Sequence, residues 1–217
     1  HPVWGLLARC FVRWSWGDLS FRANLASAVY GVGAVGFLFL ATYAVSASSR
    51  AALTAGAMLL VSHTFWLQAV RAEVYTLHLL LFFAGLWAFL RWRQAIARWH
   101  WLALGLVFWL VGTVNHLLLA LAFPGALWLF LNTGDRSERK RMFLLVVGVS
   151  AVGALLVACL VPGFFRDTLP GAVGAVVDEF SFSPYRLALY CVLLAYQFPL
   201  LGILAIPGVR CLWHRDR

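Results

Sequence analysis

Residues 62–80 read SHTFWLQAVRAEVYTLHLL, and they set Arg71 and Glu73 between two long apolar runs, with Gln68, Tyr75 and His78 close by. A guanidinium is a bidentate partner for a phosphate or a carboxylate. A carboxylate beside it can take a proton from a hydroxyl or hold the cation in place. Residues two apart point away from each other on a helix, whereas residues three or four apart share a face. If the stretch is helical, Gln68, Arg71 and Tyr75 form one face and Glu73 turns elsewhere. A plainer reading stays open: Glu73 sits near a helix start, where a negative charge suits the dipole, and Tyr75 anchors at an interface.

The other groups able to do chemistry are few. His78 lies about one turn beyond Tyr75, His116 follows Asn115 at another break in the apolar pattern, and His1 starts the chain. The acids are Asp18, Glu73, Asp135, Glu138, Asp167, Asp178, Glu179 and Asp216. No HxxxH or HExxH spacing points to a metal among the histidines. The four cysteines, Cys10, Cys159, Cys191 and Cys211, form no CxxC pair, so neither a zinc site nor a disulfide framework is expected. There is no P-loop, no GxGxxG after a strand and no GxSxG. Soluble nucleotide chemistry therefore has no support.

The elements that must position these groups follow from composition. The chain has 217 residues, of which 63% are hydrophobic and 12% charged, with a mean hydropathy of +0.86. Soluble domains are about a quarter charged, so the class is an all-α integral membrane protein, a polytopic helical bundle. A crossing helix needs about 20 mostly apolar residues. Seven candidate spans lie at roughly 24–45, 51–69, 74–91, 100–114, 116–132, 142–162 and 187–208. The fourth and fifth share one apolar stretch broken at Asn115–His116, as a tight hairpin or one long bent element. The runs lack the in-and-out alternation of barrel strands. Residues 1–217 read as a single transmembrane domain.

The net charge of +9 does not indicate nucleic acid, because the cations sit in short loops between apolar runs rather than in one basic tract. Arg50, Arg91, Arg93, Arg98, Arg136, Arg139, Lys140, Arg141, Arg210, Arg215 and Arg217 fall at one set of helix ends. The smaller set, Arg9, Arg13, Arg22, Arg71, Arg166 and Arg186, falls at the other. The positive-inside rule puts the first set, with loops 91–100 and 133–142, in the cytoplasm. The N-terminal segment, the 69–73 turn, the 115–116 turn and the 163–186 loop then lie outside. That loop, with Asp167, Asp178 and Glu179, is a solvated outer loop or a lid over an outer cavity. Residues 1–22 are too short and interrupted to span. Their apolar positions Trp4, Leu7, Cys10, Phe11 and Trp14 recur at helical spacing, which predicts an amphipathic helix in the interface.

His1-Pro2, WGDLSFRANLASA at 16–28 and SHTFWLQAVRAEVYTLHLLL at 62–81 occur in that order. Together they resemble a bacterial branch of the GT-C superfamily of membrane glycosyltransferases, whose eukaryotic relatives are protein O-mannosyltransferases of the plexin-modifying kind. The likeness is good over roughly 1–95 and continues in order beyond, where GTVNHLLLALAFPG at 112–125 looks like the family's fifth-and-sixth-helix hairpin.

The resemblance implies a GT-C-like bundle in a bacterial inner membrane. It implies a polyprenyl-phosphate sugar as donor and an acceptor protein or glycan as second partner, beside the membrane lipid itself. No cofactor is certain; some members of the superfamily require a divalent metal and others do not. The family's principal carboxylate, in an Asp-x-Gly-Glu-like stretch, precedes the His-Pro, so it is expected upstream of His1. The chain is then a fragment or a degenerate relative. On this footing Arg71 is the first candidate for the lipid phosphate, and Glu73 orients it or lines the acceptor cleft. Tyr75, Gln68, His1 and His116 complete the candidate substrate-binding set. Two other functions fit the same composition: a transporter or flippase of a lipid-linked or anionic substrate, and a non-catalytic membrane scaffold.

Overall fold

The computed structural model describes residues 1–94, 99–131, 136–160 and the isolated positions 170, 171 and 174. Within them the chain is helical: α1 Pro2–Val12, α2 Leu19–Ser46, α3 Ser49–Leu60, α4 His63–Ala69, α5 Tyr75–Gln94, α6 Trp99–Asn115, a 3-10 turn Leu117–Ala122, α7 Phe123–Leu131 and α8 Arg136–Leu160. Helices α2 and α5 are long and apolar enough to cross a membrane. The expected span at 187–208 and the 163–186 loop with its three acids lie outside the described residues.

Short polar side chains set the helix boundaries. The Asp18 carboxylate accepts from the Phe21 amide at 2.7 Å and starts α2. That helix ends where Ala47 turns left-handed at φ 52°. Ser48 and Ser62 cap α3 and α4 in the same way, by accepting from the Ala51 and Phe65 amides. The Ser62 cap corrects one expectation. The apolar run 51–69 is not one span but two short helices, broken at Val61–Ser62, because Ser62 satisfies the amide of a new helix rather than continuing the old one. The run 116–132 is likewise not one α-helix; it begins as 3-10 and becomes α only at Phe123.

The bundle has two ends. Gln94, the last residue of α5, donates from its side-chain amide to the Ala44 carbonyl near the end of α2, at 2.8 Å. Both helices therefore run the same way, and α6 returns antiparallel to α5. The chain then doubles back. Leu119 reaches Gly112 of α6, and the Phe123 ring lies 5.8 Å from Trp109. Of the two readings of 100–132, the hairpin is the one the fold adopts.

The core between α5 and α6 is built from aromatics seated on glycine. A Cβ at Gly85 would run into the Trp109 indole, and one at Gly105 would run into the Phe89 ring. Absence of side chains at these two positions lets the helices approach closely enough for both rings to be buried. Trp109 further donates its indole N–H to the Phe82 carbonyl at 3.0 Å. Phe89 and Trp92 are fully enclosed, with Leu102, Leu106, Leu119, Ala126 and Met142 completing that cluster. A second cluster, Ala26, Tyr30, Leu77 and Leu81, joins α2 to α5 and receives Val3, Trp4 and Phe11 from α1.

Candidate functional site

The start of α2, the turn before α5 and the end of α6 meet at one end of this bundle. The turn is fixed from α2. Ser27, with no exposed surface, donates its hydroxyl to the Glu73 carbonyl at 3.1 Å, and the same oxygen accepts from the Glu73 amide at 3.1 Å. One buried side chain thus holds both backbone polar groups of Glu73, which would otherwise be left unpaired against α2. The Glu73 amide also reaches the Arg71 carbonyl at 2.8 Å, so the chain folds tightly over Ala72.

This geometry corrects the expected helical face. Helix α4 stops at Ala69 and α5 starts at Tyr75, so Gln68, Arg71 and Tyr75 belong to a helix end, a turn and a helix start. Spacing along one helix does not align them. Arg71 is exposed and Glu73 half-buried, and neither side chain has a hydrogen-bond or ion-pair partner among the described residues. The Gln68 side-chain oxygen is buried without a partner.

The histidines do converge. His1 and His116 stack with ring centroids 5.2 Å apart and 15° between planes. His78 meets the His116 ring edge-on at 5.3 Å, and Tyr75 lies 5.4 Å from it. His116 is therefore the hub that brings His1, Tyr75 and His78 together. Its Nδ1 accepts from the Leu118 amide at 3.3 Å, which places the ring hydrogen of the neutral form on Nε2. Burial pushes the His116 imidazole below its usual range. Among the described residues, no group of three or more His, Cys, Asp or Glu side chains is arranged to hold a metal ion.

Asn115, 2% exposed, has a role that the sequence did not announce. The start of α1 has no side-chain cap of its own. Asn115 supplies one from the end of α6: its Oδ1 accepts from the Trp4 amide at 2.9 Å, and its backbone carbonyl accepts from His1 Nδ1–H at 2.7 Å. The Asn115 side-chain amide nitrogen is itself buried and unpartnered, as are Trp4 Nε1, the Tyr30 hydroxyl, Thr76 Oγ1 and His78 Nδ1. These buried polar atoms have no hydrogen-bond partner among the described residues. The only sequence signal for Asn115 was an amide at the break between two apolar runs.

The Arg71–Glu73 turn and the imidazoles of His1, His78 and His116 thus lie toward the same end of the helices. No curated protein and no solved structure gives a significant match to the chain. Residues 1–141 match the family model described as the protein O-mannosyl-transferase TMEM260 N-terminal domain, and the chain belongs to that family.

Proposed function

We propose that the chain works in a membrane as part of a GT-C-type transferase that moves a sugar from a polyprenyl-phosphate donor to an acceptor hydroxyl on the outer face. The observation that carries this reading is the family membership over residues 1–141. Support also comes from the convergence of the Arg71–Glu73 turn with His1, Tyr75 and His116 at one end of the helices. In the reaction, a carboxylate of the outer face takes the proton of the acceptor hydroxyl. The acceptor oxygen bonds to the anomeric carbon, and the bond from that carbon to the phosphate oxygen breaks. The leaving polyprenyl phosphate gains negative charge, which Arg71 stabilises through its guanidinium. Glu73 orients Arg71 or lines the acceptor cleft, and Gln68, Tyr75, His1 and His116 line the site around them.

The test is transfer of radiolabelled sugar from a polyprenyl-phosphate mannose to an acceptor protein, in liposomes carrying the full-length protein. Arg71→Ala and Glu73→Gln should each cut transfer by at least ~10²-fold, the scale of losing one charge-stabilising group. Both side chains are without partners among the described residues, so thermal stability should not move. Transfer at the unmodified rate by both variants would remove the two residues from the site.

A further inference from the structure

α1 joins two helix ends that share a face of the bundle. Its N-cap and first turn are held at the end of α6 by the His1–Asn115 and Trp4–Asn115 bonds. The Val12 carbonyl at its end and the Trp14 carbonyl just beyond it are held at the start of α2, where the Arg22 guanidinium donates to Val12, at 2.6 Å, and to Trp14. At 11 residues α1 is about 16 Å long, so it lies across the end of the bundle. One of its faces, with Val3, Trp4 and Phe11, packs on the α2–α5 cluster.

The opposite face has a different chemistry. Leu6, 62% exposed, shares it with Arg9 and Arg13 at positions three and seven further on. Trp14 and Trp16, the latter 72% exposed, extend it into the corner. Arg9 and Arg13 have no side-chain partner among the described residues. The nearest acid in sequence, Asp18, is committed to capping α2. Cations, indoles and an exposed leucine on one lateral helix make the pattern of an element that rests in the headgroup layer and attracts anionic lipid.

We infer that α1 and the corner after it form a docking surface for the acidic headgroups of the bilayer, with Arg9 and Arg13 on the phosphates and Trp14 and Trp16 at headgroup depth. This rests on the membrane reading of α2 and α5. Such a surface would fix the height of His1 and His116 relative to the bilayer, and so the depth at which a lipid-borne substrate meets them.

The test uses the full chain in nanodiscs of phosphatidylcholine, with or without phosphatidylglycerol. The exposed Cys10 on α1 carries an environment-sensitive fluorophore, with Cys159, Cys191 and Cys211 changed to serine. Val32→Cys, at a 72% exposed position within α2, gives the control probe. The Cys10 probe should be quenched by lipids brominated near the headgroup and the Val32 probe by lipids brominated deep in the chains. Phosphatidylglycerol retained by the protein in native mass spectrometry should fall about five-fold for each arginine lost in Arg9→Gln and Arg13→Gln. A water-exposed Cys10 probe beside a buried Val32 probe would overturn the assignment of α1 while leaving the membrane reading intact. Two water-exposed probes would overturn both. Unchanged phosphatidylglycerol retention in the folded double variant would overturn the role of the arginines.

Discussion

Replacing Asn115 with alanine should loosen α1 while leaving the α5–α6 pair in place. The Asn115 side chain caps a helix to which it does not belong, through one 2.9 Å bond to the Trp4 amide. Loss of a cap costs about 1 kcal/mol, within roughly 0.5–2. The same bond viewed from the amide is a buried donor left unpaired, with a cost of about 1–3 kcal/mol; these describe one loss and are not added. Alanine also removes the unpartnered Asn115 side-chain nitrogen, which offsets part of the cost. A net 1–2 kcal/mol of local opening corresponds to about 5–30-fold faster exchange. Hydrogen–deuterium exchange in detergent should show that acceleration at residues 3–5 and little change across Phe89 to Trp109. Asn115→Asp keeps the acceptor and sets a negative charge at the positive end of α1, so it should preserve α1 protection at neutral pH. Exchange at Trp4 within two-fold of the parent in the alanine variant would refute the capping argument. So would equal loosening by the aspartate variant.

Other expectations follow from the same contacts. Ser27→Ala removes both bonds to the Glu73 backbone; it should cost about 1–3 kcal/mol and raise exchange in residues 71–75, measured against the rest of α5. The folded His116 imidazole lies below its ordinary value of about 6.5, so the fold favours the neutral ring. Its contribution to stability is complete above that unfolded value and is lost as pH falls through the lower folded one. Melting temperature should therefore drop on acidification below about pH 6.5. His116→Asn should flatten that slope, with His1, Tyr75 and His78 still facing the position. Gly85→Ala should lower the melting temperature even though alanine is the better helix former, because overpacking against Trp109 costs about 1–3 kcal/mol.

Long apolar runs made α2, α5 and α6 legible in the sequence to within a few residues, since burial in a low-polarity medium fixes both length and composition. Their junctions were harder to read. Val61 continues the apolar run, while the hydroxyl of Ser62 ends it by serving the Phe65 amide; a hydropathy window is blind to that bond. The same blindness joined Gln68, Arg71 and Tyr75 into one helical face across a turn. The His1–His116 pairing was legible only as a shared end, because the charge pattern sorts loops by side but not by distance. Asn115 was visible as a break and not as a cap, since its partners lie 114 and 111 residues away. The roles of Arg71 and Glu73 rest on the resemblance, and their lack of partners among the described residues is what the fold adds.

The two aromatic rings seated on glycine have a mechanical consequence. Trp109 occupies the notch at Gly85, and Phe89 occupies the notch at Gly105, so each helix carries both a key and a keyhole for the other. Sliding α6 along α5 by a single residue, about 1.5 Å, would withdraw both rings and press them against side chains instead. The pair is locked in register and can tilt only as one body. Any larger rearrangement at the His116 end of the bundle must then come from elements without such keys. Helix α1, tethered at its two ends by Asn115 and Arg22, is the first of these.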